Sequence, residues 1–267
     1  MLRIGCWALL TLATTALQAA DEPKDKPTSA AEQHQSLLRE FQAAQQDIIK
    51  AYRAASSDDE RKKLLEKYHT LAKTFSDRFL AFAQKNAKAP EAVDALIVIV
   101  NMARGTEDGN AALDKALEIL SAEHIDNDKI AAVCQSLASN PSPASAKFLR
   151  TVLEKSAKRA LQAQACYSLA GVVKTQSEGA QKLKKPEADA LAKEAERLYQ
   201  QVIDKYGDVK YFRGTFGEVA KADLFELRHL SIGKIAPQIE GEDVDGKSFK
   251  LSDYRGKVVL LDFWGNW

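Results

Sequence analysis

The chain has 267 residues, 45% hydrophobic and 28% charged, with a formal net charge of +1. That length and apolar content allow one large or two ordinary domains and exclude global disorder. The near-balance of acid and base gives no electrostatic case for nucleic acid or an acidic membrane surface as partner, and the 7% of aromatics with abundant Ala and Leu favours helix.

The chain opens with Arg3, an apolar run from Ile4 to Leu17, and the small residues Ala19-Ala20. Charge, short apolar run and small residues in that order predict an export signal over 1–20, and so a periplasmic or cell-envelope location with no membrane span after cleavage. Cys6 does not fit a lipid-attachment cysteine, because the apolar run follows it. The Pro-bearing polar stretch 21–30 predicts a linker.

From 31 onward the periodicity is helical. Leu37, Leu38, Phe41, Ile48, Ile49 and Tyr52 recur at helical spacing. Ser56-Ser57-Asp58-Asp59 breaks that helix and offers caps for the next, whose stripe runs from Leu64 and Leu65 through Tyr68, Phe75 and Phe79 to Phe82. Pro90 starts a third helix, apolar nearly all round from Ala92 to Val100. Gly105 and Gly109 bracket a loop. Short helices are predicted at about 110–121, 126–138 and 143–156, and another over 158–173. Lys174 to Lys185 reads as a solvated polar loop. Pro186 opens an amphipathic helix that Gly207 ends in the usual C-terminal position. Thr215-x-x-Glu218 is a capping box for a helix to about Leu230.

The stretch Ala195-x-x-x-Tyr199-x-x-Val202-Ile203-x-x-Tyr206 resembles the second helix of a tetratricopeptide-type repeat, and Ala165-x-x-x-Leu169-Ala170-Gly171 the first. The connection between them is longer than a standard repeat allows, and no regular period precedes it. Stacked helical hairpins are the expectation for 31–231, a surface on which a partner protein could bind.

Cys134 and Cys166 remain after signal removal. Both fall in helical patterns, where buried thiols are common; an oxidising compartment would also let them pair, and buried thiols are the favoured reading. His34, His69, His124 and His229 are scattered without metal-ligand spacing, so neither a metal nor another cofactor is expected. Gly214-x-x-Gly217 reads as turn chemistry, not a phosphate loop.

Near residue 232 the pattern turns strand-like. Ser248-Phe249-Lys250-Leu251 alternates behind an Asp245-Gly246 turn, and Val258-Val259-Leu260-Leu261-Asp262-Phe263-Trp264 reads as a strand buried on both faces. The residues Ala236-Pro237, Asp245-Gly246-Lys247, Leu251-Ser252-Asp253-Tyr254-Arg255-Gly256-Lys257 and Val258 to Trp267 together resemble the start of an exported thioredoxin-like domain of the redoxin, TlpA-like reductase kind. The fold class expected is mainly α, a helical-hairpin domain followed by an incomplete thioredoxin-like α/β domain over 232–267. The resemblance implies that a Cys-x-x-Cys follows Trp267, so that the sequence is a fragment without its redox cysteines and is itself inactive.

Thiol–disulfide exchange on protein disulfides is the activity so implied, with a helix N-terminus favouring the attacking thiolate. The resemblance places Asp262 where a buried carboxylate could accept the resolving thiol's proton; a solvated strand-end Asp is an equal reading. Phe263, Trp264 and Trp267 would flank the site, Trp264 more as a core aromatic and Trp267 more as part of the substrate surface. Two alternatives are a peroxiredoxin-like peroxidase, against which Phe263-Trp264-x-x-Trp267 argues, and a helical protein-binding scaffold without catalysis.

Overall fold

The computed structural model describes residues 29–103 and 111–262. The described chain is mainly helical. Helices α1 (Ala30–Ala54), α2 (Asp58–Lys85), α3 (Pro90–Met102), α4 (Ala111–Glu123), α5 (Ile130–Leu137), α6 (Pro143–Lys155), α7 (Arg159–Lys182) and α8 (Ala188–Tyr206) follow one another. A bridge of β1 (Lys210–Tyr211) with β2 (Gly214–Thr215) leads into α9 (Phe216–His229), and a hairpin of β3 (Glu240–Glu242) and β4 (Ser248–Lys250) follows, ending in a 3₁₀ turn at Leu251–Tyr254.

Local chemistry sets the starts of these helices. The hydroxyls of Ser29, Ser57, Ser142 and Thr215 accept the backbone N–H three residues on, from Glu32, Glu60, Ser145 and Glu218. At Ser29 and Thr215 the third residue is a glutamate that returns a bond to the cap N–H, so two orphan donors are satisfied at once. Pro90 and Pro143 occupy first turns, where the missing N–H costs nothing.

The helices stack as two rows. In one, α1, α3, α5, α7 and α9 each touch the next; in the other, α2, α4 and α6 do. One hydrophobic cluster, from Leu37 on α1 to Leu224 on α9, runs through both rows. Phe79, Leu96, Ile99, Leu120, Phe148 and Leu169 are sealed from solvent, each contributing roughly 2–3 kcal/mol relative to exposure. Polar bridges tie neighbours in the stack: Asp94 to Lys129, Asn101 to Ser136, Arg150 to Glu194, and Tyr167 to Asp223.

The structure corrects two local expectations and bears out another. The segment from Lys174 to Lys182 is helix and not loop. Its small residues Ser177 and Ala180 are buried, and the Ser177 hydroxyl donates to the Ala188 carbonyl at 2.9 Å. Serine and alanine let α8 approach closely, so the lysine-rich composition of the other face misled. Gly207 ends α8 as expected, at the C-cap and with a helical φ of −59°; a Cβ there would stand 2.5 Å from the Ile203 carbonyl oxygen. The run from Val258 to Asp262 forms no strand and is exposed. A strand needs a ladder partner, and among the described residues β3 and β4 pair only with each other.

No described residue beyond Leu224 is buried. The loop expected around Gly105 and Gly109, and the export signal and most of the linker, lie outside the described residues.

Candidate functional site

The segment from Ile235 carries the residues on which a redox site was expected. β3 and β4 pair antiparallel, with Glu240 opposite Lys250, Gly241 opposite Phe249 and Glu242 opposite Ser248. Lys250 and Glu240 meet at 2.9 Å across the strands. Gly241 leaves room for Phe249, whose ring edge would lie 3.3 Å from a Cβ at that position.

The connection is a five-residue loop organised by Asp243, one carboxylate oxygen of which accepts the N–H of Asp245 at 3.0 Å and of Lys247 at 2.9 Å. Gly246 takes a φ of +76°, which glycine adopts freely. The Asp245-Gly246 turn read from sequence is thus present, inside a longer loop fixed by an upstream aspartate.

Beyond β4 the 3₁₀ turn is anchored twice. Gln238 donates to the Ser252 hydroxyl at 2.9 Å and accepts the Ser252 N–H at 3.1 Å, and Asp253 accepts the Lys250 N–H at 3.0 Å. Leu251 N–H bonds the Ile239 carbonyl at 2.9 Å. Gly256, with a φ of +83°, then turns the chain into the run Val258–Leu261. Leu260 is 92% exposed, and Val258, Val259 and Leu261 are exposed with it. Four consecutive apolar side chains in water are an unsatisfied surface, of a kind that a covering sheet or helix would remove.

Asp262, for which a buried proton acceptor and a solvated strand-end carboxylate were equal readings, is exposed at the end of this run. Burial would require the sheet that the described residues do not form. Phe263, Trp264 and Trp267 lie outside the described residues. Of the expected site, then, the structure brings together only the approach to it: the hairpin, the anchored turn and the apolar run.

The described thiols cannot stand in for redox cysteines. Cys134 on α5 and Cys166 on α7 are both free and fully buried. Desolvation raises both, pushing Cys166 up to about 12 despite the nearby Arg197 and Lys205. A thiol held protonated and away from solvent is a poor nucleophile. Cys166 instead points at the Leu198 carbonyl, 3.6 Å away, in the α7–α8 packing.

A second cluster of chemistry-bearing side chains was not foreseen from sequence. Tyr167 of α7 donates its hydroxyl to an Asp223 carboxylate oxygen on α9 at 2.7 Å, and its ring meets those of Tyr199, Tyr211 and Phe216. Burial, and then the Asp223 hydrogen bond, raise the Tyr167 phenol. A neutral tyrosine locked to a carboxylate joins elements; it is not a ready acid or base at neutral pH. These residues are 56 apart in sequence, and no local pattern marks the pair.

No family model matches the chain, and no solved structure matches it. Short matches to curated proteins do exist. Over 52 residues the chain is 45% identical to the thiol–disulfide oxidoreductase ResA of Geobacillus thermodenitrificans, which covers 19% of this chain and 30% of that one. Over 38 residues it is 50% identical to the ResA of Bacillus subtilis and 47% identical to that of Bacillus thuringiensis, covering 14% of this chain and 21% and 22% of theirs. The chain therefore spans less than a third of the length of these relatives. No described helix is long and apolar enough to cross a membrane. For the stretch it covers, the similarity to thiol–disulfide oxidoreductases supports a thioredoxin-like family.

Proposed function

We propose that residues 232–267 begin a thioredoxin-like domain behind a separate body of stacked helical hairpins, residues 31–231, and that the complete protein is a thiol–disulfide oxidoreductase of the cell envelope acting on protein disulfides. The observation that carries this reading is the short identity to thiol–disulfide oxidoreductases. The exposed apolar run Val258–Leu261 agrees with it, because a central strand of such a domain would have its partners supplied by further chain.

In this reading the sulfurs follow Trp267 as Cys-x-x-Cys. The attacking thiolate forms a mixed disulfide with the substrate, and the resolving thiol displaces it, so the protein pair is oxidised as the substrate is reduced. Covered by the completed sheet, Asp262 would have its carboxylate disfavoured as a charge and could take the resolving thiol's proton. Trp264 would pack behind the site, and Phe263 and Trp267 would border it. The charge, apolar run and small residues over 1–20, read as an export signal, support a site for this chemistry outside the cytoplasm. The test is to read the codons after Trp267 and assay the complete protein for disulfide reduction. A Cys-x-x-Cys whose cysteine-to-serine variants lose turnover supports the reading; its absence from the next ten codons sinks it.

A protein-binding role for the helical body has its own support, since all the described buried residues lie between Leu37 and Leu224 and stacked helices present extended surfaces. Partners retained by that body alone, with no disulfide reduction by the complete protein, would favour the scaffold reading over catalysis.

A further inference from the structure

Where α9 ends, the chain leaves the helical body along the rim of an open groove. The groove has a volume of about 730 Å³ and lies where the end of α7, the start of α8 and the end of α9 meet. Leu227, Leu230 and Ile232 form its apolar lining, with Ala188 and Ala192 of α8. Leu230 is 57% exposed and Ile232 82%, so this lining stands open to water. Two of the groove's cations are engaged, Lys174 with Glu226 and Arg228 with Glu196. Lys182, Lys193 and Lys234 also line it, and among the described residues their side chains form no ion pair. They outnumber the free carboxylates of the lining, Glu178 and Asp189. The turn after α7 adds Lys184 and Lys185 against Glu187, all exposed.

A fitting occupant is tethered beside this groove. The Lys234 N–H donates to the Ser231 carbonyl at 3.1 Å across Gly233, whose φ is +86°. That turn reverses the chain directly after α9, and Ser231, Ile232 and Lys234 all line the groove. Further on, the β3–β4 loop presents Val244, fully exposed, between Glu242 and Asp243 on one side and Asp245 on the other. The Asp243 carboxylate holds the loop's own amides and so fixes its shape. Glu242 and Asp245 form no ion pair among the described residues. An apolar tip between free carboxylates thus matches an apolar lining rimmed by free lysines. The ten residues from Lys234 to Val244 reach at most about 35 Å. The tether therefore keeps loop and groove at an effective concentration on the order of millimolar.

We propose that the groove is a docking surface for the β3–β4 loop of the same chain. Val244 meets Leu227, Leu230 and Ile232, and Glu242 and Asp245 face Lys182 and Lys234. The loop stands free in the structure, so the docked state alternates with an open one. Exposed ion pairs are individually weak; the tether supplies the local concentration, and charge complementarity selects the orientation. Closed, the contact ties the start of the C-terminal segment to the end of the helical stack.

Disulfide trapping in the full chain, in a Cys6→Ser background, tests this. Ala192→Cys combined with Val244→Cys should form an intramolecular disulfide at least about tenfold faster than Lys62→Cys on α2 combined with Val244→Cys. Salt at about 0.5 M should slow it. Lys182→Glu with Lys234→Glu should also slow it, and Glu242→Lys with Asp245→Lys added to that chain should restore the rate. Equal rates for the two cysteine pairs overturn the proposal, as does a rate indifferent to charge reversal. Disulfide-linked dimers that increase with protein concentration overturn it too, and give the groove to the loop of a second copy. No arm of the test depends on cysteines beyond Trp267, so its outcome is independent of the oxidoreductase reading.

Discussion

Gly217 at the start of α9 donates its backbone N–H to the carbonyl of Gly207 at the end of α8, 3.2 Å away. A Cβ on Gly217 would stand 2.8 Å from the Gly207 Cα. The two backbones meet with no side chain between them, and this contact fixes how α9 leaves α8.

Gly217→Ala should therefore force the helices apart. Nothing flexible can yield, since the obstacle is backbone. The expected cost is about 2–3 kcal/mol, or a melting temperature lower by roughly 5–10 °C for a chain of this size. Thermal unfolding followed by circular dichroism checks it. A change within a degree would mean that α9 can shift without loss.

Tyr167 and Asp223 give a pH dependence with a definite sign. Burial raises the phenols of Tyr167, Tyr199, Tyr206, Tyr211 and Tyr68 above their ordinary value of 10. The folded state then holds protons that the unfolded state releases, so the stabilisation is complete below about pH 10 and is lost as pH rises beyond it. Cys134 and Cys166, raised from 9, act in the same direction from about pH 9. Urea midpoints should fall steadily above that pH. Tyr167→Phe should flatten the fall and, near neutrality, cost about 1 kcal/mol for the lost bond to a partly exposed carboxylate.

The buried thiols should be silent in the folded protein. In a Cys6→Ser background, a thiol reagent should release no chromophore under native conditions and two equivalents after denaturation, one each from Cys134 and Cys166. Rapid native labelling would show that α5 or α7 opens far more readily than its packing implies.

Removal of residues 232–267 should leave the helical body intact. No described residue beyond Leu224 is buried, so the deletion removes no core contact among the described residues, and the melting temperature should stay within about 2 °C. Loss of cooperative unfolding would show that the hairpin segment supports the body.

Much of the helical body is legible in residue order because its determinants are local. Thr215 and Glu218 are three apart, and their reciprocal bonds to the backbone follow from sequence alone. The stripe through Phe75, Phe79 and Phe82 on α2 buries as its spacing implies. The lysine-rich end of α7 did not yield in the same way, because what makes it helix is Ser177 and Ala180 meeting α8, a contact the lysines conceal.

For the C-terminal segment the division is sharper. The order of residues from Ala236 to Trp267 carries the resemblance to a thioredoxin-like domain, and the Asp245-Gly246 turn and alternating β4 are written in it. Whether Val258–Leu261 is a strand, and whether Asp262 is buried, are not properties of those residues. A strand exists only with a partner to complete its hydrogen bonds, and a carboxyl is desolvated only by what packs over it. Sequence by itself determined most of the helices and their caps, and it carries the resemblance that the segment from residue 232 onward shows. Tertiary structure alone decided that Gly207 serves a backbone contact, that Tyr167 finds Asp223 across 56 residues, and that the apolar run stands uncovered, because each of these depends on which distant surfaces meet.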